Sequence, residues 1–298
     1  MAVRTPLLPL ALPSGTVLIK CEQLQPVGAF KLRGAYTALA RLGDRRLGGV
    51  VTSSSGNHGL AVAWSARAFG VRAVVVMPEA AAQIKVDAVR RYGGEVVFAG
   101  RLRSPEQTAR AEALAVSDGL ALLPPFDHPD VIAGQATCGL EILEDAPDVA
   151  TILVPVGGGG LAAGIAAAVA ALKPSVRVIG VEPEGAAKLS AALARGRPVE
   201  LEHTESVADG LLTRALGQIT WSVLSGVVRE AVQVTEVEIG LAVRHLYQQA
   251  QLTIEPSGAV TTAALLAGRV KADGPIVAVA TGGNVDPALF QRLVHPTA

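Results

Sequence analysis

The chain has 298 residues, 26 basic and 26 acidic side chains and therefore a formal net charge of zero, and half of its residues are hydrophobic. It has no basic stripe with interleaved aromatic residues, which excludes the electrostatic pattern typical of nucleic-acid-binding proteins and favours a small-molecule partner. No apolar run is long enough and free enough of charge to cross a bilayer, so we expect one large or two modest domains that do not enter a membrane.

The N-terminus and the cysteines predict the compartment. The first ten residues, MAVRTPLLPL, are too short and too interrupted by proline for a signal peptide. Cys21 and Cys138 have neither metal-site spacing nor the pattern of a disulfide framework, so each is predicted to be a small core residue. A reducing cytoplasm is the expected location.

Strand-like apolar runs alternate with alanine-rich helical segments along most of the chain. This alternation predicts βαβ units and a mostly parallel sheet whose strands are buried on both faces. In such folds ligands bind beyond the carboxyl ends of the strands, so the segments between a strand and the next helix are candidate sites. The predicted strands read VLIKCE, VVTSS, AVVVM, EVVFAG, TILVPV, VRVIGVE, EAVQVT and PIVAVAT.

The segment VGAFKLRGA places Lys31 between Phe30 and Leu32, where a loop is predicted to become a helix. The chain has only six lysines, so a lysine in this apolar setting is unusual. A solvated lysine is one interpretation. In the other, desolvation lowers the pKa of the Lys31 amine and makes it a nucleophile toward a carbonyl.

The next candidate is TSSSGNHG, from Thr52 to Gly59, which follows an apolar strand and precedes a helix. Its hydroxyls, amide and helix start offer hydrogen-bond donors to a carboxylate, and one hydroxyl can carry a proton. The alternative is structural, because Ser and Asn are good helix N-caps, and one of them is expected to cap this helix.

A glycine loop, VPVGGGGLAAG, follows the predicted strand Thr151–Val156. Four glycines before a helix let backbone N–H groups approach an anion such as a phosphate. A flexible turn is the structural alternative. A dinucleotide site is another, because Gly157, Gly159 and Ala162 match G-x-G-x-x-A and Glu182 ends the next strand, where an acid would bind a ribose.

The last candidate is ATGGNVD, after the strand PIVAVA. Thr281 at the strand end can bond a ring nitrogen, although taken singly the segment reads as an ordinary turn. An aldehyde held covalently by a lysine also needs a phosphate-binding loop and a partner for its ring nitrogen. The three segments together offer all of these groups.

Nine segments in order carry a family resemblance: TPLL, KCEQLQPVGAFKLRGA, TSSSGNHG, PPFDHPDVIAGQAT, VPVGGGGLAAG, VEP, ADGL, EPSGA and TGGNVD. In these the chain resembles the fold-type II pyridoxal-phosphate (PLP) enzymes, in the serine/threonine dehydratase and serine racemase branch. The resemblance implies an α/β fold like that of the tryptophan synthase β subunit, with two open parallel-sheet lobes and the cofactor in their cleft. It implies a large PLP-binding domain at 1–41 and 128–298 and a small domain at 42–127.

The resemblance also implies roles for individual residues. Lys31 would bind the PLP aldehyde covalently and act as the catalytic base, and Ser55 would face the opposite side of the substrate. The implied cofactor-binding residues are Phe30, Lys31, Asn57, Gly157, Gly158, Gly159, Gly160, Leu161 and Thr281. The implied residues for the substrate carboxylate are Ser54, Ser55, Asn57 and His58.

Departures from the family pattern refine the expectation. Relatives that bind a divalent cation use three oxygen ligands at the positions of Glu182, Ala186 and Lys188, so here an ammonium is expected to replace the metal. Pro105 stands where racemases tend to hold an arginine, which favours elimination over racemisation. Ala29 and Ala136 replace residues usual in the family and weaken the substrate inference. Family members usually have a helix before TPLL, whereas this sequence starts almost at Thr5, so it is expected to be unusually short or built without that helix. The feedback-inhibited biosynthetic relatives are longer and carry a regulatory domain, so a short catabolic or salvage type is expected.

The expected activity is β-elimination of water from L-threonine or L-serine, which gives a 2-oxo acid and ammonia. An amino-acid (serine) racemase of the same family is the alternative, and an NAD-dependent oxidoreductase is the alternative from another class. A non-catalytic amino-acid-binding protein is disfavoured by Lys31. A homodimer is expected because dimers are common in the family.

Overall fold

The computed structural model describes residues 1–13, 15–81, 83–101, 104–271 and 273–295. Contacts group the chain into two compact units, one formed by residues 1–3 and 31–134 and the other by residues 4–30 and 135–298. Residues 31–41 group with the smaller unit because they form a helix that packs on the helix Asn57–Phe69. The boundaries at 41/42 and 127/128 that the resemblance implies for a PLP-binding domain stay a prediction.

The smaller unit contains a four-stranded parallel sheet in the order β5-β4-β3-β6. Its strands are β3 (Val50–Ser53), β4 (Ala73–Met77), β5 (Glu95–Phe98) and β6 (Ala121–Leu122). Its helices are α1 (Lys31–Arg41), α2 (Asn57–Phe69), α3 (Gln83–Arg91), α4 (Pro105–Ser117) and the start of α5 (Pro129–Asp145).

The central strand β4 shows why the strand sequences are continuously apolar and do not alternate with polar residues. Val74 and Val76 pack in a cluster with Ala111 and Leu114 of α4. Val75 and Met77 point to the other face and pack with residues of α2 and α3. Helices therefore cover both faces of this sheet, as expected for parallel strands with continuous apolar sequence.

The larger unit contains a six-stranded sheet in the order β1-β2-β10-β7-β8-β9, parallel except for the β1–β2 pair. Its strands are β1 (Leu7–Leu12), β2 (Gly15–Cys21), β7 (Thr151–Pro155), β8 (Arg177–Pro183), β9 (Glu230–Val234) and β10 (Ile276–Ala280). Its helices are α6 (Gly160–Leu172), α7 (Lys188–Arg195), α8 (Gln218–Val227), α9 (Glu236–Ala250), α10 (Pro256–Leu266) and α11 (Pro287–Val294), together with the end of α5.

The mixed α/β fold with parallel sheets is confirmed, and all eight predicted strands are present. Two further strands, β1 and β6, were not predicted. β1 contains Pro9 and lies at the edge of its sheet, where a missing backbone donor is tolerated. β6 has only two residues, too few to show a hydrophobic period.

Cys21 and Cys138 are free and buried, as predicted for small core residues. Burial raises the pKa of the Cys21 thiol. Among the described residues, none of the helices has the length and hydrophobicity needed to span a bilayer.

Candidate active site

Lys31 is the first residue of α1 and is half-buried. Its Nζ donates to the carbonyl oxygen of Pro125 at 2.7 Å. The start of α5 packs tightly on α1, because a Cβ on Gly134 would lie 2.4 Å from the Arg33 carbonyl oxygen. Pro125 and Gly134, both in the segment PPFDHPDVIAGQAT, therefore contact the beginning of α1.

The segment from Ser53 to Asn57 connects the end of β3 to the start of α2. The expectation that Ser or Asn caps this helix is wrong: the N-cap is Gly56, and no side chain bonds the first turn as a cap. The Ser54 hydroxyl instead accepts the Gly56 N–H at 3.3 Å. The backbone N–H groups of His58 and Gly59 find no acceptor in the described parts of the chain, so they stay available to an anionic group such as a carboxylate.

The His58 ring fixes this loop, a role that the sequence did not reveal. The ring is 2% exposed, and its Nε2 lies 3.2 Å from the Leu123 carbonyl oxygen. The Thr52 hydroxyl donates to the same carbonyl at 2.8 Å. Burial, together with the smaller effect of the positive charge of Lys31, lowers the pKa of His58 to about 3. The ring is therefore neutral at physiological pH, with Nε2 as the donor to Leu123.

In the larger unit the glycine loop, Gly157–Gly160, leads from β7 into α6. Gly159 is the N-cap of α6 and has a φ of +93°, a left-handed conformation that favours glycine. The backbone N–H groups from Gly157 to Ala162 have no acceptor among the residues that the structure describes. Consecutive unpaired N–H groups at a helix N-terminus form an anion site, and they suit a phosphate.

Thr220 on α8 holds the backbone of the glycine loop by a hydrogen bond. Its buried hydroxyl lies 2.8 Å from the Gly158 carbonyl oxygen and 3.0 Å from that of Gly217. The Gly217 N–H also donates to the Gly158 carbonyl, at 3.3 Å. Thr220 stands 62 residues from Gly158, and no local signal links the two in the sequence.

Thr281 follows β10 and is buried. Its carbonyl oxygen accepts the Phe30 N–H at 3.0 Å, and Ala29 pairs with Gly282 through an isolated bridge. These bonds bring the segments that contain Phe30 and Thr281 together within the larger unit.

Two other segments of the resemblance adjoin this group. The Ser257 hydroxyl of EPSGA accepts the Gly210 N–H of ADGL at 2.9 Å. The Glu255 N–H donates to the Gly282 carbonyl at 3.0 Å, and a Cβ on Gly157 would lie 3.2 Å from the Gly210 carbonyl. The glycine loop, ADGL, EPSGA and TGGNVD are therefore neighbours, which the sequence order alone does not show.

The dinucleotide interpretation of the glycine loop is wrong. It requires Glu182 to present its carboxylate to a ribose, but Glu182 is fully buried. Its two oxygens already accept the Leu189 N–H at 2.8 Å, the Ser190 N–H at 3.0 Å and the Lys188 ammonium at 3.2 Å. The Ser190 hydroxyl donates to it as well, at 3.2 Å. A carboxylate held by four donors is not available to a ribose.

Comparisons with known proteins show what the whole chain is similar to. The family model described as pyridoxal-phosphate dependent enzyme matches residues 2–282. The chain is 40% identical to the L-threonine ammonia-lyase of Thermotoga maritima over 283 residues, which cover 94% of this chain and 70% of that protein.

Two solved structures are also similar. The structure of the processed threonine deaminase isoform 2 of Solanum lycopersicum matches with a TM-score of 0.92 at 36% identity. The match covers 99% of this chain and 89% of the deaminase chain. The structure of maize serine racemase matches with a TM-score of 0.93 at 34% identity. The match covers 98% of this chain and 91% of the racemase chain.

Proposed function

Because this chain belongs to the pyridoxal-phosphate dependent enzymes, in their fold-type II class, we propose that it is an L-threonine ammonia-lyase that also acts on L-serine. It converts these substrates to a 2-oxo acid and ammonia. The observation that carries this conclusion is the 40% identity to an L-threonine ammonia-lyase over 94% of the chain.

The residues of the chain suit the cofactor. PLP supplies an aldehyde that binds amines and a ring that accepts the electrons released when an α-proton leaves. The row of unpaired N–H groups from Gly157 to Ala162 offers donors for its phosphate, with Gly157, Gly158, Gly159, Gly160 and Leu161 as the assigned residues. Phe30, Asn57 and Thr281 are assigned to the ring, and the Thr281 hydroxyl to its nitrogen.

Lys31 has two roles in the proposed reaction. Its amine would hold the cofactor covalently, and as a free amine it would be the base that removes the α-proton of the substrate. The carbonyl of Pro125, 2.7 Å from Nζ, gives the released amine a hydrogen-bond partner within the same unit. Loss of the β-hydroxyl of the substrate as water gives an enamine, and hydrolysis of its imine form by a water molecule gives the 2-oxo acid and ammonia.

The TSSSGNHG segment receives the substrate. The N–H groups of His58 and Gly59 at the start of α2 suit the substrate carboxylate, with Ser54, Ser55, Asn57 and His58 as the assigned residues. Ser55 is assigned to the face of the substrate opposite Lys31, where its hydroxyl delivers a proton after elimination.

The test is a panel of L- and D-threonine and L- and D-serine with the purified holo-protein. We expect 2-oxo acid and ammonia from the L-substrates in equal amounts. Racemisation is the second candidate function, favoured by the similarity to maize serine racemase. Chiral analysis of residual serine separates the two: accumulation of D-serine without 2-oxo acid would contradict the dehydratase assignment.

Assembly and location complete the proposal. We propose a homodimer in the cytoplasm, with a small amino acid as substrate. Sedimentation of the purified protein at several concentrations tests the dimer, and fractionation of the source cells tests the location.

A further inference from the structure

Lys188 is one of the largest side chains that the fold buries completely. Its ammonium lies 2.7 Å from the Ala186 carbonyl oxygen, 2.9 Å from the Val156 carbonyl oxygen and 3.2 Å from Oε1 of Glu182. These oxygens come from the turn after β8, from the residue that follows β7 and from β8 itself. One buried cation therefore connects three segments of the larger unit.

One of these oxygens belongs to the peptide group that enters the glycine loop. Val156 immediately precedes Gly157, and its N–H donates to the Val181 carbonyl at 2.9 Å. Its carbonyl oxygen accepts the Lys188 ammonium. Both polar groups of Val156 are thus fixed, and the backbone direction with which the chain enters the anion site depends in part on Lys188.

The Glu182 carboxylate, which contacts the Lys188 ammonium, is also held in place. Glu182 is held by the N–H groups of Leu189 and Ser190 in the first turn of α7, so its carboxylate cannot turn to another partner. A Cβ on Gly180 would lie 2.2 Å from the side chain of Leu189, which shows how closely α7 packs on β8. The carboxylate and the two carbonyls form a cage whose oxygens cannot move apart freely.

The cage of oxygens is more stable with a cation inside it than without one, although burying the ammonium has a desolvation cost. Burial lowers the pKa of the Lys188 ammonium, while the adjacent Glu182 carboxylate raises it, with a net lowering. An apolar side chain would fill the same space without this desolvation cost. Without a cation, however, a buried carboxylate and two carbonyls would face one another with no donor between them.

We propose that Lys188 is a tethered cation that positions the glycine loop for the cofactor phosphate. It is a positioning residue, because its ammonium acts through the Val156 carbonyl and not on the cofactor. This inference rests on the proposed function, in which the glycine loop binds the phosphate of PLP.

The experiment compares Lys188→Ala and Lys188→Met. Titration of the cofactor-free proteins with PLP, followed by absorbance, should show that both bind PLP roughly 10- to 100-fold more weakly than the unmodified protein, as expected for the loss of charged hydrogen bonds. The ³¹P resonance of bound PLP should also shift, because the loop donors no longer have the same geometry.

Rescue by small cations identifies the charge as the cause. Lys188→Ala leaves space beside three oxygens, so added potassium or ammonium chloride should restore most of the PLP affinity. Lys188→Met fills that space with an apolar side chain and should not respond. The bulky tetramethylammonium ion at equal concentration is the salt control and should rescue neither variant.

Lys20 provides a matched control in the same unit. It is also fully buried, and its Nζ donates to the Thr5 carbonyl at 2.6 Å and to Oε2 of Glu141 at 2.7 Å. None of these partners belongs to the glycine loop. Lys20→Ala should lower the free energy of unfolding, as Lys188→Ala should, but the folded fraction should bind PLP with unchanged affinity.

Two outcomes would overturn the proposal. One is an unchanged PLP affinity in folded Lys188→Ala and Lys188→Met. The other is an equal loss in Lys20→Ala, which would assign the effect to general destabilisation. Failure of the proposed function is visible separately, because the unmodified protein would then bind PLP without converting L-threonine, or would not bind it at all.

Discussion

Lys31 is the residue on which the proposed chemistry depends. It begins α1, and no other lysine lies in a segment that resembles the family motif. We expect Lys31→Ala to lose the near-visible absorbance of bound PLP and at least roughly 10³-fold in turnover, because nucleophile and base disappear together. Lys31→Arg should fail equally, since a guanidinium does not form the covalent bond.

Borohydride trapping and mass spectrometry check the attachment point. In the unmodified protein the reduced cofactor should be found on the peptide that contains Lys31. Lys85→Ala, which removes a lysine of α3 outside every site segment, is the matched control and should keep absorbance and turnover. A cofactor adduct on another lysine in Lys31→Ala would contradict the assignment.

His58 predicts a specific pH dependence of stability. Its pKa is lowered from 6.5 to about 3 in the folded protein, so below pH 6.5 the unfolded chain binds a proton that the folded chain does not. Stability from this group is therefore complete above pH 6.5 and is lost as the pH falls toward 3. The loss approaches about 1.4 kcal/mol per pH unit for one proton.

Urea unfolding of the cofactor-free protein between pH 7 and pH 5 measures this loss. His58→Gln keeps an amide donor for the Leu123 carbonyl but removes the titrating group, so its free energy of unfolding should fall less steeply with acid. His203→Gln removes an exposed imidazole and should keep the original slope. Parallel pH profiles for His58→Gln and the unmodified protein would show that the buried ring is not responsible.

The glycine loop is the element whose backbone shape matters most. Gly159 has a φ of +93°, and a Cβ there would lie 3.0 Å from Oγ1 of Thr220. Gly159→Ala should therefore cost about 1–2 kcal/mol in backbone strain and displace the N–H groups that face the anion site. We expect weaker PLP binding in addition to lower stability.

Gly196 separates the two effects. It also has a left-handed φ, +66°, but it follows α7 and a Cβ there would meet no neighbouring atom within 4 Å. Gly196→Ala should show a similar decrease in the free energy of unfolding with unchanged PLP affinity. If both variants bind PLP equally well, the loop conformation is not what sets the affinity.

Elements with a strong local signal were predictable. Continuous apolar runs identified eight strands, and the loops after β3, β7 and β10 were singled out as site segments because ligands bind at strand ends. The start of α2 was not predicted correctly, because Ser54 bonds the loop backbone instead of capping the helix. A serine near the start of a helix can cap it, but the residue type alone does not determine which backbone N–H its hydroxyl accepts.

Contacts between residues far apart along the chain cannot be predicted from local sequence patterns. Lys20 meets Glu141 across 121 residues, and His58 meets the Leu123 carbonyl across 65. Thr220 and Gly158 are also joined only by the fold. These contacts decide which polar groups are buried with partners, and no local pattern encodes them. The proposed site residues come from the family resemblance, whereas residues that support them, such as Thr220, were found only in the structure.

We predict that the activity of the enzyme does not require a divalent metal ion. In the described parts of the chain no group of three His, Cys, Asp or Glu side chains is placed to hold a metal ion. At Glu182, where the resemblance implies a cation in some relatives, the Lys188 ammonium lies 3.2 Å from the carboxylate. A divalent ion there would meet like-charge repulsion and too few oxygen ligands.

We therefore expect the activity of the holo-protein to change less than about twofold with a chelator or with added magnesium, a shift no larger than about 0.4 kcal/mol. Lys188→Asp removes the ammonium and adds a carboxylate beside Glu182, so this variant should gain activity or thermal stability on addition of magnesium or calcium. Lys188→Met lacks the added carboxylate and should not respond to either ion. A severalfold loss of activity in the unmodified protein on addition of chelator, restored by magnesium, would mean that the functional cation is a metal and that the ammonium does not replace it.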